Sequence, residues 1–178
     1  MCTLEKRSSL FILTLIGDDH GHRLGPSLID SLLSALSQVD SQAINGGFAL
    51  VTVAHGKFFC GGFDVPLGQF DARNHLHQMV ESFRSIMSAL LSLPIPTIAA
   101  VSGHATASGL VLALGHDYVL IRSKIGGSAA RRDVLPRGMK VKGEEAVRMG
   151  IADSAAHDSE ESVMEAVVRL GDRLAERR

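Results

Sequence analysis

The chain has 178 residues, enough for one domain with a core of its own. Hydrophobic residues make up 46% and charged residues 21%, which excludes a disordered or fibrous chain. The net charge is −1 with no basic stripe, which argues against nucleic acid as a partner, and no uninterrupted apolar run reaches membrane-spanning length. Cys2 and Cys60 are far apart, so no structural disulfide and a reducing compartment are expected. The first residues lack the basic and apolar regions of a secretory signal, and the last three are not a Ser-Lys-Leu-type peroxisomal address.

Residues 9–16 are mostly apolar and predict a strand covered on both faces. The polar turn at 17–23 holds His20 and His22; with no third ligand nearby it reads as a solvated loop, and no metal site is expected. Pro26 opens a helix whose apolar stripe is Leu28, Leu32, Leu36 and Val39, with Ile29 and Leu33 beside it. Residues 48–54 predict a second buried strand. Strand, helix and buried strand in that order are a parallel crossover, hence an α/β fold. Residues 55–65 then bring glycines directly after a strand, at Gly56, Gly61 and Gly62, where the backbone can bend over a ligand.

Residues 71–93 predict a long helix with core positions Leu76, Met79, Val80, Phe83, Met87, Leu90 and Leu91. His77 and Glu81 share its polar flank. Two prolines, Pro94 and Pro96, lead into a short apolar strand at 97–101. Residues 102–108 are small and glycine-bearing, and 109–114 read as a buried helical turn. A strand feeding a small-residue turn and a helix presents free N–H groups where negative charge is favoured. Residues 117–121 are one more strand. Helices follow at 128–135, stopped by Pro136, and at 142–149, with Gly150 as the cap. Arg131 and Arg132 read as a solvated helix face. Residues 151–153 are extended, and 159–175 form a terminal helix with Val163, Ala166, Val167, Leu170 and Leu174 on one side.

Both glycine loops fall at the carboxyl ends of parallel strands, where open α/β sheets bind ligands. One offers a backbone N–H near Phe63, the other near Ser108. Two convergent donors make an oxyanion hole, suited to a thioester enolate or a tetrahedral oxyanion. No Gly-x-Gly-x-x-Gly follows a strand, and no Gly-x-x-x-x-Gly-Lys-[Ser/Thr] occurs. Ser108 stands at a strand-to-helix turn, but Thr106 and Leu110 replace the flanking glycines of a hydrolase nucleophile elbow.

Residues 57–65, followed by 96–105, resemble the crotonase superfamily of enoyl-CoA hydratases and isomerases, most closely the plant-type peroxisomal enoyl-CoA delta isomerases. Residues 1–7, 75–83, 116–119 and 143–147 resemble that subgroup too, so the likeness spans nearly the whole chain. It implies a crotonase-like spiral core of repeated strand–strand–helix units over 1–122, with a C-terminal helical region over 123–178, the two forming a single domain. It also implies an acyl-CoA thioester ligand with no separate cofactor, since coenzyme A belongs to the substrate. The N–H groups of Phe63 and Ser108 would hold the thioester oxygen. The ligand-binding loops would comprise Lys57, Phe58, Cys60, Gly61, Gly62, Asp64, Gly103, His104 and Gly109. The implied activity moves a 3-enoyl-CoA double bond to the 2-position in fatty-acid β-oxidation. Trimer-type self-association and a peroxisomal location are implied as well; without that relation the location reads as cytoplasmic.

The chain departs from the family at three places. Val111 stands where hydratases carry a glutamate, which argues against hydration. After Ile121 the segment bearing the isomerase glutamate has no counterpart, so a central segment is expected to be missing, leaving unpaired strand edges. The last C-terminal helical segment of the family is also expected to be absent. Residues 123–127 are too few for a parallel return. The general base is thus unidentified: Glu81, Asp64 and His104 are the polar candidates, and none matches the family's position. Asp64 is expected to order its own loop, His104 to hydrogen-bond in the turn, and Cys60 to be a small buried residue. Two alternatives remain: a non-catalytic acyl-CoA-binding or oligomer-partner protein, and a Ser108-dependent peptidase or thioesterase, which needs a histidine within reach of Ser108.

Overall fold

The computed structural model describes residues 1–17, 21–43, 47–65, 72–123, 126–127 and 141–176. Its centre is a six-stranded sheet of β1 (Cys2–Arg7), β2 (Leu10–Leu15), β3 (Ala49–Ala54), β5 (Thr97–Val101), β7 (Tyr118–Arg122) and β10 (Ser154–His157), in the order β1-β2-β3-β5-β7-β10. β1 and β2 form an antiparallel hairpin turned at Ser8, and every other pairing is parallel. Parallel strands need crossovers. These are supplied by α1 (Pro26–Gln42) between β2 and β3, α2 (Ala72–Leu91) between β3 and β5, α3 (Ser108–Leu114) between β5 and β7, and α4 (Gly143–Arg148) between β7 and β10. Two short ladders lie outside the main sheet: β4 (Phe58–Cys60) with β6 (His104–Ala105), and β8 (Gly126–Gly127) with β9 (Val141–Lys142).

Alternation along the central strands explains their continuous apolar runs. Leu50, Ala54, Ala99, Val101, Val119 and Ile121 face the larger core, which holds the buried stripes of α1, α2 and α3. Val51, Val53, Ile98, Ala100 and Leu120 face the other side, where the terminal helix α5 (Glu160–Ala175) packs through Val163 and Val167. Ser159 caps α5 reciprocally with Ser162, which fixes where the helix starts. Gly171 lets α5 sit close, because a Cβ there would come within 2.6 Å of Leu10 Cδ2.

Three expectations change. The buried stripe of α2 is Met79, Phe83, Ile86 and Leu90, whereas Leu76, Val80 and Leu91 are exposed. The helix is turned so that this stripe meets the core shared with α1, and the outer apolar positions are left to solvent. The last strand lies at 154–157 rather than 151–153, because Asp153 serves as the lock before the strand: its N–H donates to the Val119 carbonyl (2.8 Å) and its carboxylate accepts the Val119 N–H (2.7 Å). β7 is therefore not left with an unpaired edge; β10 pairs with it in parallel after a return through α4. The helix predicted at 128–135, with Arg131 and Arg132, lies outside the described residues, as does His20.

His116 ties α3 to β3 beneath the sheet. Its Nδ1–H donates to the Leu112 carbonyl (3.0 Å), and its Nε2 accepts from the Thr52 hydroxyl (2.7 Å). Burial pushes its pKa from 6.5 down to about 4, so the ring is neutral in the folded chain. Unfolding releases a histidine that takes up a proton at higher pH. The stability this group contributes is therefore complete above pH 6.5 and is lost as the pH falls towards about 4. The full loss is on the order of 3 kcal/mol. Urea unfolding at pH 7, 5.5 and 4 should show a decline in the native chain across this window that is clearly shallower in His116→Gln; equal slopes would contradict the assignment.

Candidate functional site

The loops after β3 and β5 are joined by backbone pairing. β4 and β6 run parallel, with Phe58 opposite His104 and Cys60 opposite Ala105. The His104 N–H donates to the Lys57 carbonyl (2.9 Å), and the Thr106 N–H donates to the Cys60 carbonyl (3.0 Å). Glycine is needed at two of the contacts. A Cβ on Gly103 would lie 2.5 Å from the Phe58 carbonyl carbon, and one on Gly109 would overlap the Cys60 carbonyl.

A second brace comes from the turn after β2. Gly61 N–H donates to Gly21 O (2.7 Å), Leu24 N–H to Gly62 O (2.8 Å) and Asp64 N–H to Leu24 O (3.2 Å). The His22 Nδ1–H donates to the Phe58 carbonyl (3.0 Å), and the Cys60 thiol donates to the His22 carbonyl (3.1 Å). The Phe63 ring meets Phe83 of α2 edge-on at 5.5 Å between centroids. The loop is thus held by β6, by the 21–24 turn and by the core.

Both donors follow a residue with positive φ: Gly62 (+86°) precedes Phe63, and Ala107 (+49°) precedes Ser108. Ala107 is not glycine, so its conformation is strained and is kept by the surrounding loop contacts. Leu24 pairs with Gly62 and Asp64 through its own N–H and carbonyl, leaving the Phe63 N–H on the other side of the chain. Ser108 is the first residue of α3, so its N–H has no helical acceptor. Neither N–H has a protein acceptor among the described residues. The loops touch at this point: a Cβ on Gly62 would lie 3.1 Å from Ala107 Cβ and 3.3 Å from Ser108 Oγ.

The structure thus brings together Lys57, Phe58, Cys60, Gly61, Gly62, Phe63, Asp64, Gly103, His104, Ser108 and Gly109 in one pair of braced loops. The base candidates do not converge on the donors. Glu81 is exposed on α2 and paired with Arg84 (3.0 Å). Asp64 is exposed, with its side chain facing Gly25. The His104 ring lies against Phe58 at 5.6 Å between centroids. Val111, at the hydratase glutamate position, packs against the core. Cys60 is fully buried, and burial pushes its thiol up to about 11, so it is no nucleophile at neutral pH. The Ser108 hydroxyl has no hydrogen-bond partner among the described residues, so no described histidine activates it and the serine-hydrolase alternative fails. No group of three or more His, Cys, Asp or Glu side chains is placed to hold a metal among the described residues.

Sequence reasoning missed the β4–β6 ladder and the 21–24 brace. The ladder is too short to carry a periodic pattern, and the brace is made by backbone groups that any residues could supply.

Two braced loops thus carry backbone N–H groups without protein acceptors among the described residues past the carboxyl ends of adjacent parallel strands. The sequence profile described as enoyl-CoA hydratase/isomerase matches residues 5–124, and the chain belongs to that family. It is 51% identical over 206 residues to the Arabidopsis thaliana protein named enoyl-CoA delta isomerase 2, peroxisomal, covering 98% of this chain and 85% of the relative. Enoyl-CoA delta isomerase 1, peroxisomal, of the same plant is 42% identical over 203 residues, covering 99% and 83%. Among solved structures, the chain superposes on an enoyl-CoA hydratase/isomerase-family protein of Silicibacter pomeroyi with a TM-score of 0.85 at 24% identity, covering 100% of this chain and 85% of the other. An enoyl-CoA hydratase of Mycobacterium smegmatis gives 0.86 at 18% identity, covering 98% and 76%. The span matched to delta isomerase 2 is 206 residues, longer than the whole chain of 178, so that relative carries internal residues with no counterpart here. The family profile stops at residue 124, close to where the sequence departs from the family pattern.

Gly109→Ala should push β4 away from α3 and cost about 1–3 kcal/mol, since the added carbon meets backbone rather than a movable side chain. Urea unfolding checks the loss, and acyl-CoA binding should weaken in the same variant. Unchanged stability would show that the two loops are not in fixed contact.

Proposed function

We propose that this chain is an enoyl-CoA delta isomerase: it binds a 3-enoyl-CoA thioester and moves the double bond to the 2-position. The observation that supports the reading is the contact between two braced loops whose Phe63 and Ser108 N–H groups lack protein acceptors among the described residues. The two relatives described above, and a third from the same plant at 49% identity, bear that activity in their names. Loss of a proton from the α-carbon gives a dienolate whose negative charge rests on the thioester oxygen between the two donors. Return of a proton at the γ-carbon leaves the double bond between the α and β carbons. No electrons are transferred, so the reaction calls for no redox cofactor, and coenzyme A serves as the handle of the substrate. Lys57 lines a cavity of about 420 Å³ beside Phe58 and offers positive charge for the coenzyme A phosphates. By relation to the two relatives named peroxisomal, we place the chain in the peroxisome.

No carboxylate among the candidates faces the donors, so proton transfer falls to solvent-borne base. A positioned base is worth ~10²–10⁴ in rate, whereas each oxyanion donor is worth ~10²–10³. The chain should therefore bind acyl-CoA and turn over 3-enoyl-CoA at least ~100-fold more slowly than a version carrying the relatives' additional segment after Arg122. Added formate or acetate should raise the slow rate. Equal turnover in the two versions would sink the missing-base argument. Binding without turnover, even with acetate, would make the chain an acyl-CoA-binding protein. Failure to bind any acyl-CoA would overturn the functional reading itself.

A further inference from the structure

The buried polar side chains of the cores are matched. Thr52 pairs with His116, Thr97 with Asp117, and the Ser102 hydroxyl donates to the Ala54 carbonyl (2.9 Å). Ser108 is the exception: the residue is 9% exposed, and among the described residues its Oγ is the buried side-chain atom without a hydrogen-bond partner. A serine in the first turn of a helix ordinarily returns its hydroxyl to nearby backbone. Here the hydroxyl points instead towards the neighbouring loop, 3.3 Å from where a Cβ on Gly62 would stand, beside the peptide that carries the Phe63 N–H. An unmatched buried hydroxyl in a native core calls for an explanation, and this one lies where two other donors are also unmatched.

We propose that the Ser108 hydroxyl is a third hydrogen-bond donor to the thioester oxygen, acting beside the N–H groups of Phe63 and Ser108. The proposal rests on the thioester reading above and adds a catalytic side chain to it. With its hydroxyl gauche to its own nitrogen, a serine places the two donors about 3 Å apart, close enough to share one acceptor. A thioester oxygen has two lone pairs in its plane, which the two N–H donors occupy, so the hydroxyl reaches it only as a weak, shared donor. The enolate oxygen carries an extra pair and a full charge, and takes a third. The hydroxyl thus favours the intermediate over the ground state, and its effect belongs in kcat rather than KM. A nucleophilic role does not fit, since no described base touches the oxygen.

Ser108→Ala separates this role from a structural one. The free variant should unfold in urea at the same or a higher concentration than the native chain, because it loses no protein hydrogen bond. Bound to saturated acyl-CoA labelled with ¹³C at the thioester carbonyl, the native chain should lower the carbonyl stretching frequency, and the variant should lower it less. With 3-enoyl-CoA the variant should lose about 10-fold in kcat at a KM within about twofold. A variant with full carbonyl shift and full kcat, or a less stable free variant, would overturn the proposal. If the native chain binds no acyl-CoA at all, the functional reading fails and the third donor with it; if it binds and Ser108→Ala behaves identically, only the third donor is lost.

Discussion

The candidate site depends on one short stretch of backbone pairing, that of β4 with β6. Both donors are backbone groups, so no side chain carries them and only the path of the chain can place them. Two residues of ladder are too little to be stable alone. The pairing holds because β4 follows β3 and β6 follows β5, and those two strands lie side by side in the middle of the sheet, buried on both faces. Register fixed by the core is thereby carried beyond the sheet's edge into the loops. The glycines at 103 and 109 permit the approach, and the turn at 21–24 closes the assembly from the other side.

The two ends of the sheet are held by different means. At the amino ends, side chains do the locking. Asp117 accepts from the Thr97 N–H (2.8 Å) and hydroxyl (2.9 Å), while the Thr97 Oγ1 also accepts from the Asp117 N–H (2.9 Å), joining the starts of β5 and β7. Asp153 does the same work before β10. These carboxylates are engaged in the fold and placed away from the loops. At the carboxyl ends of β3 and β5 the locking is done by backbone, which leaves N–H groups to spare.

The parallel strands that are buried on both faces were readable as uninterrupted apolar runs, and the helix starts at Pro26 and Ser159 carried local signals that the structure keeps. The two tight loops after β3 and β5 were readable because small residues after a strand have few uses other than a sharp turn or a close approach. β1 was not readable: its burial alternates over only its first residues, and Glu5, Lys6 and Arg7 look like loop. β10 was hidden because a four-residue edge strand has no period to show, and its position is set by the Asp153 lock rather than by hydrophobicity. The facing of α2 was misread because its apolar residues exceed one stripe, and tertiary packing, not spacing, decides which of them are covered. The unmatched Ser108 hydroxyl is invisible to pattern altogether, since it is defined by the partners it lacks.

Polarisation and proton transfer are separable in this architecture because they reside on different parts of the chain. The donors depend on β3, β5 and the loops that follow them, all within the region matched by the family profile. Residues that the relatives carry inside the matched span have no counterpart here, yet the sheet still closes, because β10 returns beside β7 and α5 covers the outer face. A shortened chain can therefore keep the charge-stabilising half of the reaction intact. On the function proposed above, the selectivity of such a site would lie in recognising a developing oxyanion, and its rate would depend on how readily a proton acceptor from outside the protein reaches the α-carbon. In such a site each additional donor would matter more than it would beside a strong base, because stabilising the enolate would be the main contribution to lowering the barrier.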